Sequence, residues 1–357
     1  MSGVAITGWS AITSAGVGAE PLAVGVPVPQ DVRAMFDDPL PVPSARALPG
    51  FDVRTLLGRK GTSSFDRATA LAVVCCREAL RSSPVDLDAG PHARTGVVLG
   101  TSLGSFKSTS DYSRETLVQE RPYLVNPVLF PNTVMNGAAG QVAIRFGLRG
   151  VNATIAGGPL AFLNAVRYAR NVLDRGYADT MVAGAVEEFT PHRAWAVQLA
   201  GEPDTAPAGE AAAFFVLSRT ADGGSGARIL SVATGYGPGG TMPAGTALTS
   251  CVGRALRQAG ADSSAVGAVV TGSAHPDDDR EYGPAVRALG HHPEHVPARR
   301  LLGDCGAATG AAALAVVLAG PALPAARPLV LLTGRGADGA VGAAIVEGSG
   351  DERPDRG

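Results

Sequence analysis

The chain has 357 residues, 45% of them hydrophobic and 17% charged, which is enough apolar material for a large core and rules out global disorder. Its formal net charge is -2, with 30 Lys and Arg against 32 Asp and Glu, and no basic stripe is present to neutralise a run of phosphates, so a nucleic-acid partner is not expected. Four cysteines, at 75, 76, 251 and 305, have neither disulfide nor metal-knuckle spacing and read as free thiols of a cytoplasmic protein.

Along the chain, Gly3-Val-Ala-Ile-Thr-Gly8 predicts a short buried strand, and no basic segment precedes it because the first arginine is Arg33. Prolines at 21, 27, 29, 39, 41, 43 and 49 predict an irregular excursion over the surface. From Asp66, apolar positions at Ala70, Leu71, Val74 and Leu80 predict a helix, with Cys75 and Cys76 at its core and its edge. Thr95-Gly-Val-Val-Leu-Gly100 predicts a strand with a small-residue loop after it, and Gly267-Ala-Val-Val-Thr-Gly272 repeats that pattern. Each is followed by a Gly-marked turn into a helix, at Gly157-Gly158-Pro159 and Gly303-Asp304-Cys305-Gly306. A buried strand comes next, Thr180-Met-Val-Ala-Gly184 and Leu329-Val-Leu-Leu332. The same order twice predicts a duplicated α/β unit, one half over residues 1–218 and one over 219–347, joined through the polar run 218–228, with a frayed tail over 348–357. The uncharged stretch between Asp304 and Arg327 is rich in Ala and Gly and cut by Pro321 and Pro324. It predicts a core helix and a turn, not a membrane span.

Other patterns carry less. Gly100-Thr-Ser-Leu-Gly104 fits the G-x-S-x-G of a hydrolase nucleophile, but the polar Phe106-Lys-Ser-Thr-Ser-Asp-Tyr112 after it lacks the regular apolar spacing of the helix that this motif needs. Gly334-Arg-Gly-Ala-Asp-Gly339 fits G-x-G-x-x-G yet leads into the strand-like Ala343-Ala-Ile-Val346, so no dinucleotide unit follows. His291-His292-Pro-Glu-His295 contains metal-ligand types, but Pro293 and Pro297 prevent a helical display; a surface loop without metal is expected. Asp277-Asp-Asp-Arg-Glu281 reads as a solvated charge run.

Two longer segments carry a resemblance. Residues 127 to 147, PVLFPNTVMNGAAGQVAIRFG, resemble the dimer-interface segment of β-ketoacyl synthases, and Tyr177-Ala-Asp-Thr-Met-Val-Ala-Gly-Ala-Val-Glu-Glu188 resembles the strand after their nucleophile helix. The resemblance implies the thiolase-like fold, two α/β halves in a five-layer αβαβα sandwich. It also implies where the family's Cys nucleophile and two histidines should lie. Lining up residues 150 to 166 puts Pro159 at the Cys position, which removes both the nucleophile and the N–H that would donate to an oxyanion. Thr271 falls at the first histidine, with His275 leaving the register open, and Asp304 falls at the second, in Arg299-Arg-Leu-Leu-Gly-Asp304. An ionised Asp only accepts hydrogen bonds and repels a malonyl carboxylate; its expected role is to cap the helix that follows. Gly209-Glu-Ala-Ala212 is similar to the family's Gly-Glu-Gly, but the flanking residues around Pro203 to Pro207 are abbreviated.

A ketosynthase-like chain without Cys and both His resembles chain length factors, the non-catalytic partners of ketosynthases in type II polyketide synthases. The resemblance implies a heterodimer with a catalytic ketosynthase, acyl carrier protein engaged through the complex, no dissociable cofactor, and an acyl tunnel whose floor this chain helps to close. Phe106, Thr109, Tyr112 and Leu129 are the implied tunnel and partner-facing residues, with Asp111 facing either the tunnel or solvent. Two alternatives remain: a self-sufficient acyltransferase or hydrolase with its nucleophile relocated to Cys305 or Ser102, and a homodimeric acyl-binding protein without a partner.

Overall fold

The computed structural model describes residues 3–24, 27–200, 206–219, 226–237, 243–272, 280–320, 324 and 326–348. The proposed tail, apart from Gly348, lies outside the described residues, as do His275, Asp277 to Asp279 and most of the abbreviated segment before Pro207.

Ten strands make one hydrogen-bonded path. β1 (Val4–Thr13), β2 (Thr95–Thr101), β3 (Asn152–Ala156), β4 (Thr180–Glu187) and β5 (Ala211–Ser218) run in the order β3-β2-β4-β5-β1. β6 (Arg228–Tyr236), β7 (Val266–Thr271), β8 (Glu294–Pro297), β9 (Leu329–Arg335) and β10 (Ala340–Glu347) run in the order β8-β7-β9-β10-β6. Directions repeat as well: β2 is parallel to β3 and β4 while β5 is antiparallel to β4 and β1, and β7, β8, β9, β10 and β6 copy each relation. The two sets meet where β1 pairs antiparallel with β6, at Val4 opposite Ile229 and Ala5 opposite Arg228. A short strand, Gly16–Val17, folds back on β1.

The longer helices among the described residues are α1 (Arg67–Arg81), α2 (Phe106–Val118), α3 (Gly137–Phe146), α4 (Ala161–Asp174), α5 (Pro191–Ala200), α6 (Ala244–Ala259), α7 (Tyr282–Leu289) and α8 (Thr309–Ala319). α1 and α3 cover the outer face of the first sheet, α6 and α7 that of the second, and α4 and α8 lie between the sheets, touching both. This is the five-layer arrangement expected. Its chemistry is visible in α8, where Ala311 to Ala315 are all buried: a helix walled on both sides carries no polar face. Two glycines let α4 approach closely. A Cβ on Gly100 would lie 2.9 Å from the Ala161 carbonyl carbon, and one on Gly342 2.8 Å from Leu163 Cδ1.

Local rules explain the boundaries. Asp66 caps α1 by accepting the Thr69 N–H at 2.7 Å, so the helix begins where the apolar spacing does. Cys75 and Cys76 are both fully buried, so Cys76 is not at an edge; α3 packs over that side of α1. The polar segment after Gly104 is a helix after all: Ser105 caps α2 by accepting the Ser108 N–H. Because α2 packs on α5 and not on the sheet, apolar periodicity is weak there. His295 is not in a bare loop but in β8, and no group of His, Cys, Asp or Glu suited to a metal is found among the described residues. No helix among those residues is long and apolar enough to cross a membrane.

Candidate functional site

The strand ends of the second half and the first turns of α4 and α8 enclose a cavity of about 360 Å³. Pro159, Thr271 and Asp304, far apart in sequence, all line it. Pro159 lies in the short turn Gly158–Leu160 that leads into α4, where its fixed φ suits a first turn and its missing N–H costs no hydrogen bond.

Thr271 ends β7 and is 1% exposed, with Oγ1 2.9 Å from His295 Nε2. The His295 ring in turn stacks on Tyr282, centroids 4.2 Å apart. Asp304 is held on two sides. Arg193, buried at the start of α5, donates to its carboxylate at 3.2 Å and to its backbone carbonyl at 2.8 Å, and Arg299 donates to the other carboxylate oxygen at 2.9 Å. Burial alone would raise the Asp304 pKa, but the two guanidinium groups outweigh it and hold the carboxyl below its ordinary value. Asp304 also accepts the Gly306 N–H at 2.9 Å, two residues on, but it does not cap the helix as expected: Cys305 precedes the turn Gly306–Ala308 and Ala308 precedes α8, and the arginines engage the Asp304 carboxylate instead.

Glu281, expected in a solvated run, is buried in the cavity wall. It accepts the Gly272 N–H at 3.0 Å and the Thr333 hydroxyl at 2.8 Å. Gly306 has φ +49, and a Cβ there would lie 2.7 Å from Glu187 Oε2, which explains why the turn into α8 needs glycine.

The relocated nucleophiles fare poorly. Cys305 is 1% exposed, donates to the Leu302 carbonyl, and burial first of all pushes its thiol up to about 12. Ser102 Oγ accepts the Ala307 N–H at 3.1 Å, and no histidine hydrogen-bonds to either residue among those described.

The implied tunnel residues lie elsewhere. Phe106 and Thr109 sit on α2, half-buried, with the Phe106 ring edge-on to His192 of α5 and Thr109 Oγ1 donating to the Ser105 carbonyl. Tyr112 packs its ring on Phe130, centroids 6.0 Å apart, and Leu129 ends the turn Pro127–Leu129 beside it. None of the four lines the Pro159 cavity. Asp111 pairs with Lys107 at 2.7 Å on a half-exposed surface, together with Asp38. Leu117 of α2, Val128 and Phe130 in the turns after it, Ile144 of α3 and Leu199 of α5 are exposed apolar residues, and β3 closes the sheet path with its outer edge unpaired among the described residues.

Residues 48–223 match the N-terminal domain of β-ketoacyl synthases. A solved structure described as the ishigamide ketosynthase/chain length factor is 33% identical, with a TM-score of 0.83 over 98% of this chain and 100% of that one. The chain belongs to the ketosynthase family. Its ketosynthase fold is also that of a type II polyketide synthase ketosynthase solved in complex with its acyl-carrier protein, at 16% identity and a TM-score of 0.78 over 98% of this chain and 100% of that one. The 3-oxoacyl-[acyl-carrier-protein] synthase 2 of Staphylococcus aureus (strain COL) is 28% identical over 195 residues, 54% of this chain; the match spans about half, 47%, of the curated relative's length.

Within this family frame, sequence reasoning missed Arg193, whose only signal is a cation in an otherwise apolar helix start, and Glu188. Glu188 is 2% exposed and accepts the N–H groups of Ala68 and Lys107 from the first turns of α1 and α2. Burial first, then Asp66 and Glu187, push its carboxyl up to about 8 against those hydrogen bonds.

Proposed function

We propose that this chain is the chain length factor of a type II polyketide synthase, a non-catalytic subunit that pairs with a catalytic ketosynthase and closes part of its acyl tunnel. One observation carries the reading: the head of the central helix, where the family attacks with a thiolate, holds Pro159. The same cavity presents Thr271 and an arginine-clamped Asp304 where two imidazoles are needed. Nothing in that set can attack a thioester, stabilise the oxyanion from position 159, or polarise a malonyl carbonyl.

What remains is a container. The exposed residues Phe130 and Ile144 and the open edge of β3 belong to the surface a ketosynthase partner would cover, and α2 packs against the short helix Phe130–Thr133 that carries Phe130. Burying that face in a heterodimer brings Phe106, Thr109, Tyr112 and Leu129 to the end of the partner's acyl tunnel, where a closed wall stops a growing chain by overlap. Acyl carrier protein then delivers substrate to the catalytic subunit, and no dissociable cofactor takes part. The similarity to a ketosynthase/chain length factor supports this assignment.

The test is co-expression with a catalytic ketosynthase of a type II polyketide synthase, followed by size-exclusion chromatography and intact mass measurement after incubation with acyl-loaded carrier protein. The expected result is one co-eluting heterodimer with acyl mass on the partner alone. An acyl adduct on this chain, or two separately folded and active proteins, would reject the assignment.

A further inference from the structure

α2 is held to the body of the protein differently from α1. Of its thirteen residues only Ser108 is buried, whereas α1 buries eleven of fifteen. With so little apolar surface covered, α2 depends on polar contacts, and those of its first turn converge on one side chain. Glu188 bridges the starts of both helices: Oε2 accepts the Ala68 N–H at 3.2 Å and Oε1 the Lys107 N–H at 3.3 Å, in each case the second residue of the helix. The third residue of each is served separately, Thr69 by Asp66 and Ser108 by Ser105, whose Oγ also lies 3.4 Å from Glu188 Oε1. One carboxyl thus supplies acceptors to two helix starts whose N–H groups have no partner within the helix.

Glu188 is almost fully buried, and its carboxyl forms no ion pair among the described residues, because the charged groups around it are engaged elsewhere. On α1, Arg67 holds Glu210 and the Leu48 carbonyl. On α2, the Lys107 ammonium lies 2.7 Å from Asp111 and 3.3 Å from Asp38. On α5, Arg193 serves Asp304 and the Gly209 carbonyl and reaches only the backbone carbonyl of Glu188, while the His192 ring turns to Phe106. The remaining neighbours, Asp66 before α1 and Glu187 on β4, are carboxyl groups that repel a charge on Glu188. Two helix starts favour the ionised form, but burial without a counter-ion outweighs them and, with that repulsion, holds the carboxyl up at about 8.

We propose that Glu188 is a proton-operated latch on α2: with its carboxyl protonated, the first turn of α2 is closed on the start of α1, and when the proton passes to water that turn opens and admits solvent to the carboxylate. The joint yields on the α2 side because α1 is anchored by its buried face. In the open form Glu188 is solvated and titrates near its ordinary value of 4.5, so closing takes up a proton and becomes less favourable as pH rises from about 4.5 to about 8. Since α2 carries Phe106, Thr109 and Tyr112, the latch sets how firmly that part of the surface is held. It stands on these contacts whether or not the chain pairs with a ketosynthase.

Amide hydrogen–deuterium exchange of the full chain, read by mass spectrometry at pH 6, 7 and 8 with labelling times scaled to the intrinsic amide rate, tests it. In the wild type, protection of residues 107–112 should fall at least about tenfold from pH 6 to pH 8. Those amides should also exchange at least about a hundredfold faster than the interior of α1 at every pH, as a local opening requires. Glu188→Gln, which cannot ionise, should make the protection of 107–112 independent of pH. Asp66→Asn, whose amide oxygen can still cap Thr69, removes one repelling carboxyl and should make the pH response about threefold smaller; it decides alone if Glu188→Gln does not fold. Protection of 107–112 that does not change with pH in the wild type, exchange of α1 and α2 at one common rate, or a wild-type pH response in either folded variant overturns the proposal.

Discussion

Glu188 shows how much a single buried side chain can impose on this molecule. It sits where the first turns of α1 and α2 meet, accepting the Ala68 and Lys107 N–H groups, with its pKa raised from 4.5 to about 8 by burial, Asp66 and Glu187. A folded-state value above the unfolded one means that its stabilisation is complete below about pH 4.5 and lost as pH rises towards about 8. Relative to Glu188→Gln, the wild-type protein should therefore lose about 2 to 4 kcal/mol between pH 5 and pH 8, measured by chemical denaturation; parallel curves for the two proteins would show that Glu188 ionises normally. Glu188 was in plain view in the sequence, yet nothing local marks a glutamate that ends up between two helix starts contributed from 120 and 81 residues away. Pro159, Thr271 and Asp304 were reached through a resemblance that left the choice between Thr271 and His275 open; the structure brings those three to one cavity, and His275 lies outside the described residues. Arg193 was not, because its partner Asp304 lies 111 residues further on.

At the level of elements, α2 is the informative case. Its helix was not foreseen because the face that would reveal it packs on α5, so the apolar stripe that advertises a sheet-facing helix is absent, and only the Ser105 cap remains as a signal. By contrast α1 was readable because one face is pressed against a sheet and burial writes its period into the sequence, and α8 because, walled on both sides, it is an uncharged run of small apolar residues. If α2 forms the tunnel floor, Thr109→Trp should shorten the products of the reconstituted heterodimer by about one or two extension units, since an indole fills space that the chain would occupy. Leu129→Trp should act in the same direction. Unchanged product length by mass spectrometry in both variants would remove these positions from the floor while leaving subunit pairing untouched.

Across the whole molecule, the repeated strand order makes two similar halves that share one inner helical layer, and the repeat was visible in the sequence because matching strands begin with the same Gly-Val-Val or Ala-Val-Val runs. The exposed face was harder to read, since an apolar residue looks the same whether its neighbour is its own chain or another. If the chain pairs with a ketosynthase through this surface, Phe130→Asp should weaken that association by more than about tenfold in sedimentation or chromatography and leave the melting of this chain nearly unchanged, because Phe130 is 55% exposed. The clamp on Asp304 acts across the two halves, because Arg193 comes from the first and Asp304 from the second. Asp304→His should cost about 3 to 5 kcal/mol, because it leaves Arg193, only 8% exposed, without its counter-charge; denaturant midpoints would report it. The consequence is a constraint on exchange: an imidazole cannot be placed at position 304 alone without loosening the contact between the halves, so any variant that carries one must change the buried arginine as well.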